Sequence, residues 1–261
     1  MRWIIVSACL LMTACSGSFF RVPQDEYRQR VQTLGVVPVL VDADSNIVHP
    51  ERAELIALLR RHNEGRHERL VETLRREKGY FDVRPVSFSK PSDRQRLLDR
   101  SQRVKAGKRS YRSYSFDPQT LAELSRREVV DALLVTVMHG DQRRLKRWER
   151  NAGLTYLETD YNVIAVTAAV VTPEGEVLWE FPGMLEGPFL HLQYPDFDEA
   201  HYNRRDEVRV RDITVEGLDR ALSAPEKKLL GKGDFPVRYR ALFDEIAASL
   251  DPDLAGKGDG K

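Results

Sequence analysis

His139-Gly140-Asp141 places an imidazole and a carboxylate two residues apart, directly behind the apolar run from Asp131 to Met138. Open α/β sheets gather their sites at the carboxyl ends of strands, so this position suits a base or a metal-ligand pair. A second group, His191, Asp196, Asp198 and His201, follows in a stretch broken by Gly and Pro. Imidazole nitrogens and carboxylate oxygens are the ligands of hydrolytic metal centres, where a bound ion makes water a nucleophile. Together these residues define one reading, a metal-dependent envelope hydrolase using His139 and Asp141. The competing reading is plainer: strand ends are polar anyway, and Asp-rich loops are common. His62 and His67 are five residues apart, which misses the spacing of four that puts two histidines on one helix face. The chain has no Gly-x-Ser-x-Gly elbow, phosphate-cradling loop or dinucleotide fingerprint. Gly231-Lys232-Gly233-Asp234 has no strand pattern before it and reads as a turn. The plainer reading is preferred, so no catalytic residue, metal site or cofactor is assigned.

Charge offers a different kind of site. Lys and Arg number 41 against 40 Asp and Glu, so no general affinity for nucleic acid follows. The distribution is uneven, however. One basic run holds Arg94, Arg96, Arg100 and Arg103, and a second holds Arg143, Arg144 and Arg147 with Lys146 and Arg150. Such runs form solvated faces, or they meet anionic lipid head groups or an acidic partner, at ~1 kcal/mol per charge near a membrane surface. These seven arginines are the candidate contact residues. Trp179, Tyr156, Tyr161 and Phe181 could form an aromatic platform, but their alternating positions favour a place in the core.

The elements that must position these groups read as an α/β protein. Leu34 to Val41 is a buried strand whose Pro38 implies an edge or a bulge. Pro50 to Lys78 is helical, with Gly65 interrupting and Gly79 closing. Tyr80 to Phe88 is a strand. Residues 89–115 form a basic insert, expected as a surface helix followed by a mobile loop. Asp117-Pro118 opens a further helix, with Asp as its cap. Asp131 to Met138 is an interior strand. Leu157 to Thr172 and Val177 to Phe181 form a long antiparallel hairpin around Pro173-Glu174-Gly175-Glu176. Residues 182–211 are an excursion, Ile213 to Leu222 and Pro236 to Leu250 are helices, and 251–261 is a disordered tail. A mixed sheet carrying helices follows, in one domain over residues 34–250.

The amino-terminal residues carry an address. One Arg, an apolar stretch and then Met12-Thr13-Ala14-Cys15 make a secretory signal over residues 1–14 that ends like a lipobox. Val6-Ser7-Ala8-Cys9 also fits, but leaves only Trp3-Ile4-Ile5 as an apolar core, so Cys15 is preferred. The resemblance implies cleavage before Cys15, lipidation of its thiol and anchoring in the membrane. Residues 15–33 then read as a tether, with Ser16-Gly17-Ser18 flexible by composition. Ser16, rather than Asp, behind the Cys resembles outer-membrane sorting in enteric bacteria. Cys9 and Cys15 are the only cysteines, so a chain cut there has no disulfide and no thiolate metal site.

The order of parts is itself informative. Gly35-Val36-Val37-Pro38-Val39, a long helix, Gly79-Tyr80-Phe81-Asp82-Val83, Asp131-Ala132-Leu133-Leu134-Val135 and Gly175-Glu176-Val177-Leu178-Trp179 follow one another in this order. The sequence over about residues 34–181 resembles the TolB amino-terminal-like lipoprotein group. That group includes penicillin-binding-protein activator lipoproteins and the curli-secretion lipoprotein. The resemblance implies protein binding at the envelope and no catalytic motif. The expected protein is a lipid-anchored accessory lipoprotein of the outer membrane, facing the periplasm and docking on an envelope partner. A hydrolase and a subunit of an oligomeric secretion assembly are the alternatives.

Overall fold

The computed structural model describes residues 19–76, 79–106, 109–149, 155–184, 187–198, 208–228 and 231–250. Its class is α/β, with seven helices among the described residues and a mixed sheet of seven strands. Strand β1 (Thr33–Val36) lies parallel to both β3 (Asp82–Pro85) and β6 (Ala132–Trp148). β7 (Tyr156–Val171) pairs antiparallel with β6 and with β8 (Val177–Phe181). β2 (Leu40–Val41) joins β6 beyond β1, and β9 (Leu190–His191) joins β7.

Pro38 does what a proline in a strand must. Val36 faces Leu134, but Leu40 faces Val137. Four steps on one strand match three on the other, which is a one-residue bulge. Other local signals also act as read. Gly65, with φ 68°, separates α2 (Arg52–Asn63) from α3 (Arg66–Arg76). Asp117 caps α5 (Pro118–Glu128), accepting from the Thr120 N–H. Gly175, with φ 92°, turns β7 into β8.

The sheet has a different cover on each face. Leu34, Leu134, Met138, Ile164 and Val166 pack against α2, α3 and the last helix, α7 (Val237–Leu250). Leu133, Val135, Val137 and Val171 pack against α5 and a β-hairpin. From Ala132 to Met138, β6 is therefore buried on both faces, as interior strands of parallel sheets are.

That hairpin corrects the reading of the basic insert. Residues 98–106 and 109–116 form β4 (Leu98–Ala106) and β5 (Arg109–Phe116), preceded by α4 (Pro91–Arg96). Tyr111, Tyr114 and Phe116 are buried on the sheet, so the insert is packed structure and not a mobile loop. Its apolar content is modest, yet three aromatic rings bury enough surface to order it. The tether needs a similar correction. Phe20 bridges to Trp179, and α1 (Gln24–Arg30) and the residue after it bury Tyr27 and Val31 in the core. Residues 19–33 are thus part of the fold. Gly231-Lys232-Gly233-Asp234 lies in strand β13 (Gly231–Pro236), paired with β12 (Pro225–Lys228), and is not an isolated turn.

The excursion returns to the sheet through β9, while β10 (Gln193–Asp196) and β11 (Arg209–Asp212) form a separate two-stranded sheet. Helix α6 (Val215–Ser223) follows, capped by Thr214. Trp179, Tyr161 and Phe181 are fully buried, and Tyr156 is half exposed. Among the described residues no helix is long and apolar enough to cross a membrane. Residues 1–18, with Cys15 and the signal segment, lie outside the described residues, as does the tail 251–261.

Candidate functional site

His139 and Asp141 are not at a strand end. β6 runs on to Trp148, because every residue from Leu133 to Trp148 finds a partner on β7. Both side chains point to the face covered by the β4–β5 hairpin. His139 is 2% exposed, with its ring 6.0 Å from that of Tyr114 and Nε2 3.3 Å from Thr167 Oγ1. Burial drives its pKa down to about 4, and the charges of Arg112 and Arg143 push the same way. Asp141 is buried, and each carboxylate oxygen accepts from one guanidinium: Arg103 at 2.8 Å and Arg143 at 3.3 Å. The pair therefore clasps the hairpin to the sheet.

Two more clasps repeat the arrangement. Tyr114 Oη donates to Asp42 at 2.8 Å. Tyr111 Oη donates at 2.9 Å to Glu180, which also pairs with Arg21. Burial and then the Glu180 contact push the Tyr111 phenol up to about 12. Sequence reasoning missed Asp42, Glu180 and Arg21. The only signal was the spacing of Tyr111, Tyr114 and Phe116, which arginines and serines obscure.

A pH prediction follows from His139. Its folded pKa near 4 lies below the ~6.5 of an unfolded chain, so the unfolded state takes the proton first. The contribution to stability is full above pH ~6.5 and is lost as pH falls toward 4, by up to about 3 kcal/mol. His191, also depressed to about 4 by burial, shares this window. The difference between wild type and a His139→Gln variant therefore isolates one residue. Urea midpoints at pH 7 and pH 4.5 should fall less in the variant; equal losses would remove His139 from the account.

The seven candidate arginines do not form one patch. Arg103 and Arg143 meet on Asp141. Arg144 pairs with Glu158 at 3.2 Å. Arg147 donates to the Gln193 carbonyl and lies over Tyr161. Arg96 and Arg100 are exposed, and Arg94 sits 5.6 Å over the Phe88 ring. Beyond the sheet body, β6 and β7 continue as a two-stranded arm. Near its end Lys146 Nζ lies 4.5 Å from the ring centre of Trp148 and 3.7 Å from that of Tyr156. Both rings are about half exposed, at 50% and 47%.

A cleft of about 740 Å³ opens beside β2. Its floor is the run from Val39 to Asp44, with Arg60 of α2 on one side and Phe88, Arg94 and Leu98 on the other. No motif pointed to this place. Of the second histidine group, Asp196 pairs with Arg211, and His201 lies outside the described residues. Among the described residues no group of three or more His, Cys, Asp or Glu converges as a metal site would require.

No protein-family model and no curated protein sequence matches the chain. A solved structure shares a distant likeness: a neuraminyllactose-binding hemagglutinin homolog from Helicobacter pylori. The two are 12% identical, the match covers 87% of this chain and 89% of that one, and the TM-score is 0.39.

Proposed function

We propose that this protein is a lipid-anchored, periplasm-facing envelope lipoprotein that works by docking on a protein partner. The observation that favours docking over hydrolysis is the capture of Asp141 between Arg103 and Arg143. The one His–Asp pair with suggestive spacing is engaged in holding the hairpin down. The lipobox ending at Cys15 supports the anchor. Phe19, already packed against Phe181, follows Cys15 by four residues, a span of at most ~14 Å. A lipid on Cys15 would hold the sheet edge, Arg21 and the basic hairpin close to the bilayer, where arginines meet anionic head groups.

Radioactive palmitate tests the anchor. Wild type should take up label and a Cys15→Ala variant none; an unlabelled wild type would overturn this reading. Native electrophoresis of detergent extracts tests docking. The protein should migrate in an assembly well above its own 30.0 kDa. Migration as a free chain would count against a partner, and an assembly of this chain alone would favour the oligomeric-secretion alternative.

A further inference from the structure

The cleft beside β2 is an open strand edge. Asp42 N–H donates to the Met138 carbonyl at 2.9 Å. In a ladder, alternate residues aim their peptide groups to opposite sides, so Val41 directs its N–H and C=O away from β6. Among the described residues no strand pairs with that side. β3 ends at Pro85, and its last rung is the Val86 N–H to the Val36 carbonyl at 2.9 Å. The bulge at Pro38 then carries β2 past the reach of β3. The neighbouring carbonyls are already satisfied: Val39 accepts from Asn63, and Ala43 from Arg52. The Val41 peptide group is left facing the cleft with no partner among the described residues.

The cleft wraps this edge from both faces. Six consecutive residues, Val39 to Asp44, line it, with α2 from one side of the sheet and the α4–β4 segment from the other. Exposed strand edges are templates for pairing, and folds usually shield them. Here the shield is absent along a lined groove. We propose that the groove binds an extended peptide segment of a partner protein, which adds to the sheet as a strand alongside β2. Strand addition takes affinity from main-chain hydrogen bonds and specificity from pockets for alternate side chains. Phe88 and Leu98 supply an apolar wall. Asp42 is engaged by Tyr114, and Asp99 lies beside Arg100. Arg60 and Arg94 line the groove and have no carboxylate partner among the described residues, against one acid similarly placed, Asp44. The segment therefore carries apolar side chains and at least one carboxylate.

The proposal rests on the docking reading and is tested apart from it. A random dodecapeptide library displayed on phage would be panned on the full-length protein in detergent micelles. Selected peptides should be apolar and acidic. Peptide binding should slow hydrogen exchange at the Val41 amide. Val41→Pro deletes an N–H that serves no internal ladder, and should weaken the peptides by about tenfold or more, the equivalent of one well-placed main-chain bond. Arg94→Glu, at the rim, should disfavour acidic peptides even if the proline variant fails to fold. Peptides indifferent to both variants, or none selected, would overturn strand addition. A Val41 amide already protected without peptide would also overturn it: concentration-dependent protection would identify a second copy as occupant, and concentration-independent protection this chain's own terminus. In cells, an assembly that persists with Val41→Pro leaves docking standing and removes this groove from it. No assembly in wild type removes docking itself.

Discussion

A Leu134→Asp variant is expected to yield no folded protein. Leu134 is fully buried in β6, opposite Val36 of β1 and Val170 of β7, and faces the core under α2, α3 and α7. A carboxylate there has no cation or donor built to meet it. Burying an unpaired polar or charged group costs several kcal/mol, against a total stability of ~5–15 kcal/mol. The loss would also reach both neighbouring strands, because β6 joins the parallel half of the sheet to the antiparallel half. Far-ultraviolet dichroism and soluble yield are the readouts. A soluble variant with a cooperative melt would mean that the sheet does not depend on this strand.

Gly140→Ala is expected to destabilise by roughly 3 kcal/mol, a large effect for one methyl group. A Cβ at Gly140 would stand 2.1 Å from the Asn46 carbonyl oxygen and 2.3 Å from the Ile47 nitrogen. Both are backbone atoms and cannot swing aside. The loop from Asp42 to His49 folds back on β6 at this point, and Ser45 Oγ accepts from the Gly140 N–H at 2.9 Å. Pushing the loop away would break that bond and expose Ile47, which is 2% exposed. The same loop leads out of the β2 edge, so the groove should loosen as well. The urea midpoint of Gly140→Ala, set beside that of His139→Gln, decides between two accounts of the motif. If the glycine variant is as stable as wild type while the histidine variant loses function, His139-Gly140-Asp141 is chemistry and not packing.

The stretch around this motif shows how far the sequence could be read. The apolar run ending at Met138 marked an interior strand, and the strand is there. Its end was misplaced because apolarity measures burial, whereas strand length is set by the partner. From Gln142 to Trp148 the side chains are partly or fully exposed, yet β7 pairs with each residue. The basic hairpin failed to stand out for a related reason. Arg and Ser dominate its composition, and the signal lay in three rings, of which Tyr111 and Tyr114 donate to carboxylates remote in sequence. Tyr111 and Glu180 are 69 residues apart, and Tyr114 and Asp42 are 72. No local pattern encodes such a contact.

By itself, the sequence determined what local chemistry controls: the α/β class, an edge or a bulge at Pro38, the break at Gly65, the cap at Asp117 and the turn at Gly175. The break, the cap and the turn each depend on the φ or hydrogen bond that one residue type permits, and need no distant partner. The lipobox belongs with them as a local expectation. Only the tertiary structure decided that His139 and Asp141 lie beneath a hairpin, that the seven arginines do not form one patch, and that β2 keeps one side open. Those features depend on which remote segments the sheet brings together. Burial and ladder pairing are properties of the assembled fold, and a side chain's role follows from the partner it meets there.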